Sequence, residues 1–195
     1  MNDLINRTID YLEKRQRSIY RPNIEEVPEE LDRESDTIFV GSIFFMEKFT
    51  YIIEKLIVDQ NHRDGNLFVN FLSFANFKQR LDRYAKIESL GNRLWVYGAD
   101  EPAGLPENNY KYIQVGRGDG LASSWFVIYS GRDAAYSLVA VKALKRRDDK
   151  KDVETFRGFW TTRGSITAYM TDYLLKVVNV QYSMMRRDDA SENDS

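Results

Sequence analysis

Apolar and polar residues follow one another along the chain in a pattern that predicts a mixed α/β fold. β-rich apolar runs at 37–43, 67–72 and 93–98 are separated by stretches with helical periodicity, which together predict a β-α-β-α-β half. Strands separated by helices of this length favour parallel pairing. The apolar face of the first of these helices is marked by Phe49, Ile52, Ile53 and Leu56.

The second half of the chain has shorter breaks between its apolar runs, which predicts consecutive antiparallel strands. Residues 123–160 read SSWFVIYSGRDAAYSLVAVKAL, then the charged run KRRDDKKDVE, then TFRGFW. A helix with a broad apolar side follows at about 165–184. We therefore expect a single domain, α/β to α+β, in which the β-α-β-α-β half, an antiparallel meander and a C-terminal helix surround one mixed sheet.

The first twenty residues predict an amphipathic helix. Ile5, Ile9 and Leu12 recur at spacings of four and three and form one apolar stripe. A stripe of this width suits a partner contact or a homodimer formed by helix pairing. The alternative is that the helix packs against its own domain.

The remaining boundaries follow from changes in composition. Residues 21–36 hold two prolines and many acidic residues, and this predicts an acidic connector. The domain itself is expected at 37–185, and the polar segment 186–195 is expected to be a disordered tail.

Charge and cysteine content exclude several classes of function. The net charge is −2, with 28 basic and 30 acidic residues, which argues against a nucleic-acid binder or a binder of anionic membranes. The absence of cysteine removes disulfides, thiolate metal sites and thiol-linked chromophores, and it fits a reducing cytoplasm. No signal peptide and no apolar run of membrane-spanning length is present, so we expect a cytoplasmic protein.

No catalytic signature is present in the sequence, and we expect a protein that is not an enzyme. The single histidine, His62, lies in a polar loop without an evident partner, and no clustered ligands predict a metal site. An enzyme that uses Asp100 or Glu101, which follow the third strand, is the least favoured alternative.

Two groups of residues are candidates for binding. The carboxyl ends of parallel strands often form ligand sites, and here they carry Ser42 and Ser73. With these, a pocket for a flat molecule or chromophore would use Trp95, Tyr97, Trp125 and Trp160. Ordinary core packing is the alternative for these aromatic residues.

The charged run is the second candidate contact. It contains Arg146 and Arg147 and is most simply a solvated hairpin loop that a partner protein could contact. No cofactor is predicted, although a bound chromophore or small ligand is compatible with the aromatic residues.

The order of motifs resembles the DICT sensory domain, a family named for its occurrence with diguanylate cyclases and two-component systems. The resemblance covers about 35–180 and is carried by LFVNFLSF, RLWVYGAD, WFVIYSGRDAAYSLVAVKAL and FRGFWTTRGSITAYMTDYLL. The chain departs from the family at Arg163 and Gly164, where members commonly start the helix with an Asp-Pro type sequence.

The resemblance implies a sensory or protein-interaction role in bacterial signalling, often suspected to be light-related, and no catalysis. We therefore expect a stand-alone regulatory module from a bacterium such as a cyanobacterium, which acts on signalling proteins through contacts in trans. The alternative is a sensor that binds a small molecule or chromophore.

Overall fold

The computed structural model describes residues 2–14, 36–106, 110–116, 118–143, 146–148 and 151–192. The helices are α1 (Asn2–Glu13), α2 (Ile43–Asp59), α3 (Phe74–Lys78), α4 (Leu81–Glu88) and α5 (Gly164–Glu192), with a short 3₁₀ turn at Gly120–Ser123. The strands are β1 (Asp36–Ser42), β2 (Asn66–Phe71), β3 (Arg93–Gly98), β4 (Tyr110–Gln114), β5 (Ser124–Ser130), β6 (Ala135–Lys142), β7 (Arg146–Asp148), β8 (Lys151–Val153) and β9 (Thr155–Thr161).

Seven strands form one mixed sheet in the order β1-β9-β6-β5-β2-β3-β4, while β7 and β8 form a separate hairpin. β2, β3 and β4 pair in parallel, and the other neighbours pair in antiparallel fashion. The predicted mixed sheet and the predicted meander of β5, β6 and β9 are therefore confirmed.

The position of β1 corrects the simple β-α-β-α-β picture. β1 does not pair with β2, because β9, β6 and β5 lie between them. Instead β1 pairs in antiparallel fashion with β9, so that Asp36 is opposite Thr161. The side chain of Asp36 accepts a hydrogen bond of 2.6 Å from the Thr161 hydroxyl and forms a 2.7 Å ion pair with Arg163. These contacts join the first strand of the sheet to the last.

Helices cover both faces of the sheet. The α2 face carries α2, α3 and α4 packed on one apolar cluster, and the α5 face carries α1 and α5 packed on a second. Because successive residues of a strand point to opposite faces, β5 contributes to both clusters, and its residues from Ser124 to Tyr129 are all buried. Both faces of this strand are therefore covered by helices.

Gly158 in β9 is a point of close approach between strands. A Cβ atom at this position would lie 2.2 Å from the Val139 carbonyl oxygen and 2.5 Å from the Ala140 Cβ. Only glycine fits where the neighbouring strand comes this close. Phe156 and Trp160, on either side of it, both point into the α2 face, as their spacing predicts.

Several boundaries differ from those that the sequence predicts. The single helix expected before Gly91 is divided into α3 and α4, and Gly91 itself follows α4 with a φ of +83°, as a glycine after a helix end should. α5 extends to Glu192, so the segment expected to be a disordered tail from 186 is helical up to that residue. The predicted acidic connector at 21–36 lies outside the described residues except for Asp36.

In the part of the chain that the structure describes, no helix has both the length and the apolarity to cross a bilayer.

Candidate functional site

The polar residues at the carboxyl ends of the strands cap helices. The Ser42 hydroxyl accepts a hydrogen bond of 3.3 Å from the Phe45 amide at the start of α2. The Ser73 hydroxyl accepts one of 3.1 Å from the amide of Asn76 in α3. Asp100, the carboxylate considered for catalysis, accepts hydrogen bonds from two amides in the first turn of α3 at 2.5 and 3.2 Å. These side chains stabilise helix starts and satisfy amides that would otherwise lack a partner.

The four aromatic residues proposed for one pocket lie on opposite faces of the sheet. Trp95 and Tyr97 belong to the cluster of the α5 face, whereas Trp125 and Trp160 belong to the cluster of the α2 face. The Trp125 indole donates a 3.1 Å hydrogen bond to the Thr50 hydroxyl of α2. The four side chains therefore do not line a common cavity, and each is a component of a packed core. Trp95 also lines a surface cleft, where the Lys111 ammonium lies 4.4 Å from the centre of its ring.

The apolar stripe of the N-terminal helix is not a surface for a partner in this structure. Ile5, Ile9 and Leu12 are buried in the cluster of the α5 face, so the alternative of packing against its own domain is confirmed. Arg146 and Arg147 lie in β7 of the hairpin, and their side chains are outside the described part of the structure.

A polar cleft of about 390 Å³ lies between α2 and α4, and the sequence did not predict it. The Tyr51, Lys55 and Val58 side chains of α2 form one wall, and Asp82, Arg83 and Lys86 of α4 form the other. The cleft opens to solvent and reaches inward to Glu54, which is 0% exposed.

Glu54 is a buried carboxylate with both oxygens hydrogen-bonded. The Tyr84 hydroxyl donates a 2.5 Å hydrogen bond to Oε1, and Arg83 donates to Oε2 through Nη1. A buried charge requires such partners, because desolvation would otherwise cost several kcal/mol. Burial nevertheless raises the pKa of Glu54, although Tyr84, Arg83 and Arg80 act in the opposite direction. Burial and the neighbouring Glu54 carboxylate also raise the pKa of Tyr84 well above its ordinary value, so its hydroxyl remains protonated and donates.

Arg83 connects this buried carboxylate to solvent. Its side chain is 37% exposed, and its guanidinium lies 4.7 Å from the centre of the Tyr51 ring. A group that binds to the exposed side of Arg83 therefore also contacts the immediate partner of Glu54.

Arg80 ties the same region to the core of the sheet. It forms a 3.1 Å ion pair with Glu47 of α2 and donates a 2.5 Å hydrogen bond to the Asn76 carbonyl. Its guanidinium lies over the Phe71 ring at 4.8 Å and over the Trp125 ring at 5.9 Å. The loop between α3 and α4 is thus fixed both to α2 and to the aromatic core.

A signal for this site is present in the sequence but is weak. Thr50, Glu54 and Ile57 are spaced four and three apart, so Glu54 falls on the buried stripe of α2. The apolar pattern also predicts that Ile52 and Leu56 lie on the buried face of α2, but both are only half-buried. An acidic residue on an apolar stripe indicates a buried partner, but only the fold identifies that partner as Arg83.

His62 has partners that its loop position did not predict. Its Nε2 lies 3.0 Å from the Gln60 side-chain oxygen and 3.1 Å from the Tyr136 hydroxyl, and its ring packs near Tyr129. Burial lowers the pKa of His62, and Asp133 raises it to a smaller extent. The histidine thus joins the loop after α2 to the β5–β6 hairpin.

The chemistry that the cleft offers is binding through cationic and aromatic groups. Among the described residues, no group of histidine, aspartate and glutamate side chains could hold a metal ion. Comparisons of the chain with models of known protein families, with curated proteins and with solved structures give no match.

Proposed function

We propose that the chain is a sensory module of bacterial signal transduction, in which a small molecule binds in the cleft between α2 and α4. The observation that carries this proposal is the direct hydrogen bond between partly exposed Arg83 and fully buried Glu54. A ligand that engages Arg83 changes the surroundings of Glu54, so the packing of α4 on α2 depends on whether the cleft is occupied. A ligand with unequal affinity for two packings shifts the population between them.

The order of the motifs supports assignment to the DICT family. The motifs that carry the resemblance fall on β2, β3, the β5–β6 pair, β9 and the first part of α5. With that assignment, we propose a non-enzymatic, cytoplasmic module of a bacterium such as a cyanobacterium, and we propose that its stimulus is related to light.

Contact with a signalling protein is the second candidate function, and exposed aromatic residues on α2 favour it. Phe44 is 63% exposed and Tyr51 is 47% exposed, and their spacing of seven residues places them on the same side of the helix. Tyr51 also lines the cleft, so a partner bound to this side of α2 would sense the position of Arg83. In this proposal, the surface formed by Phe44 and Tyr51 passes the signal on in trans.

Purification from the native host, followed by native mass spectrometry, tests the ligand proposal. A small molecule is expected to accompany the wild-type protein and to be lost in Arg83→Gln. The matched control is Lys176→Gln, which removes a positive charge from an exposed position on α5. If neither the purified protein nor the host metabolite extract supplies a molecule that binds in an Arg83-dependent way, the ligand-sensor proposal is wrong.

The partner proposal has a separate test. Pull-down from native lysate with the wild type is compared with Phe44→Ser, which alters the exposed ring and leaves the cleft intact. A signalling protein recovered by the wild type and lost with Phe44→Ser supports the contact. Equal recovery by both would contradict it.

A further inference from the structure

The cleft between α2 and α4 has more hydrogen-bond donors than its own carboxylates use. Glu54 at the floor is already bonded on both oxygens by Tyr84 and Arg83. Asp59 lies 3.9 Å from Lys55, and both of these side chains are more than half exposed. Such an exposed pair is weak, because water competes for both charges. The exposed carboxylate of Asp82 also lines the cleft, so three carboxylates face the cations Lys55, Arg80, Arg83 and Lys86. The cations exceed the carboxylates by one, and the carboxylates leave several N–H donors of the cleft unused.

Arg83 and Lys86 supply the available donors. A guanidinium has five N–H donors, and one nitrogen of Arg83, Nη1, contacts Glu54. The Lys86 ammonium forms no ion pair with any residue that the structure describes, and its side chain is exposed. The two residues are three positions apart on α4, so they point to the same side of the helix and into the cleft.

The shape and walls of the cleft select the size of the ligand. Its volume of about 390 Å³ lies at the lower end of the range for small-molecule sites. The Tyr51 ring and Val58 provide apolar surface beside the cationic groups. The combination suits a compact organic molecule that carries one anionic group.

We propose that this cleft binds a small organic oxyanion, with a carboxylate or phosphate group held by Arg83 and Lys86. The proposal rests on the sensory function proposed above and specifies the chemical class of its ligand. Planar guanidinium groups bind such oxyanions in a bidentate geometry, and a neighbouring ammonium adds a point charge. The ligand and the Glu54 carboxylate compete for the same guanidinium, and this competition is the means by which occupancy reaches the buried residue.

Isothermal titration calorimetry with four matched probes tests the proposal. Benzoate and phenyl phosphate carry the two oxyanions, benzyl alcohol is neutral, and benzylamine is a cation. All titrations use the same ionic strength, set with sodium chloride, so that general charge screening is equal. We expect benzoate or phenyl phosphate to bind at least tenfold more tightly than benzyl alcohol and benzylamine, and the stronger of the two identifies the oxyanion.

Variants identify the residues responsible. Arg83→Gln is expected to weaken oxyanion binding at least tenfold and Lys86→Gln severalfold, whereas Lys176→Gln leaves it unchanged. Glu54→Gln removes the competing charge and should strengthen binding severalfold, a result that a merely structural Glu54 would not give. Because Lys86 is exposed, its variant keeps the test valid even if Arg83→Gln fails to fold.

Two results would overturn the proposal in different ways. Equal or tighter binding of benzyl alcohol or benzylamine, lost in Arg83→Gln, would show that the cleft binds a ligand of another class and would leave the sensory proposal standing. Absence of binding by both oxyanions would reject the oxyanion proposal, while the Arg83-dependent molecule sought by native mass spectrometry still decides the sensory function.

Discussion

The two faces of the sheet are closed to water to a similar degree but bury different kinds of polar group. On the α5 face, the hydroxyls of Ser137 and Thr167 are 2.8 Å apart and satisfy each other without any charge. On the α2 face, Glu54 is equally buried, yet its partner Arg83 is a cation that reaches solvent. The Ser137–Thr167 hydrogen bond depends only on the folded chain. The Glu54–Arg83 contact can also be altered by a molecule that binds in the cleft.

This difference has an energetic consequence. A neutral hydrogen bond contributes about 1 kcal/mol net, and one to a charged group contributes about 1.5–3 kcal/mol. Removal of one partner from a buried ion pair costs more than the pair contributes, because the remaining charge stays desolvated. Changes on the α2 face should therefore have larger effects than matched changes on the α5 face.

The largest effect is expected from Gly158→Val in the sheet beneath α2. The new side chain would collide with the Val139 carbonyl and Ala140, and rigid backbone atoms cannot move far enough to accept it. Overpacking of this kind should lower the free energy of unfolding by about 3 kcal/mol, measured by urea denaturation. Gly164→Ala is the control, because no atom lies within 4 Å of a Cβ at that position. Equal midpoints for the two variants would contradict the close approach of β6 and β9.

Tyr84→Phe should have the next largest effect. The change removes the hydroxyl that donates to Glu54 and leaves one oxygen of a buried carboxylate without its partner. We expect the free energy of unfolding to fall by about 2 kcal/mol. Tyr169→Phe removes a hydroxyl from a tyrosine of α5 that is 59% exposed, and it should be nearly neutral. A neutral Tyr84→Phe would mean that Glu54 does not need this donor.

On the α5 face, Thr167→Val should cost only about 1 kcal/mol. The Ser137 hydroxyl then loses its neutral partner but leaves no charge behind. The double variant Ser137→Ala/Thr167→Val should recover part of this loss, because both polar groups are removed together. Thermal unfolding of the single and double variants measures the difference. A loss as large as that of Tyr84→Phe would remove the energetic distinction between the two faces.

Glu54→Gln should have the smallest effect at a single pH, because the Arg83 guanidinium left without its carboxylate still reaches solvent, and its effect should appear as a change in pH dependence. Burial raises the pKa of Glu54 in the folded protein above its unfolded value. The contribution of Glu54 to stability is thus fully present below its pKa in the unfolded chain, about 4.3, and is lost as the pH rises through its pKa in the folded protein. The wild type should therefore lose stability relative to Glu54→Gln over that interval.

Urea denaturation of both proteins at several pH values from about 4 upward gives this difference directly. Thr50→Val, which alters the polar neighbour one turn away without changing a charge, is the control and should keep the wild-type pH dependence. The opposite result would be a wild type that becomes more stable relative to Glu54→Gln as the pH rises. It would show that Arg83 and Tyr84 outweigh the desolvation of Glu54.

The sequence predicts where individual strands and helices lie along the chain better than it predicts which of them pack side by side. The strand near 37–43 is correctly located, but its pairing with β9 depends on residues far along the chain, such as Thr161, which periodicity does not connect. The caps formed by Ser42 and Ser73 explain another limit, since a polar residue at a strand end looks the same whether it holds a ligand or a helix.

The cleft was missed for a related reason. Glu54 lies among apolar residues of α2, and Arg83 lies in a separate short helix that the sequence pattern merges with α3. Periodicity places each side chain on a face of its own helix, but it carries no information on which two helices pack together. The pairing of the carboxylate with the guanidinium emerges only when α4 lies beside α2 on the sheet.

The joining of β1 to β9 also sets an order of events for a chain that is synthesised from its amino terminus. The Asp36–Thr161 contact spans 125 residues, so β1 has no sheet neighbour until nearly the whole domain has left the ribosome. Contacts of such high sequence separation form late and slow folding, because the entropy of closing the intervening loop must be overcome first. Ile38 and Phe39 of β1 are fully buried in the folded domain, and until β9 is available the strand that carries them has no partner to cover it. The nascent chain should therefore be most prone to aggregation just before β9 emerges, and truncation ahead of β9 should yield insoluble protein.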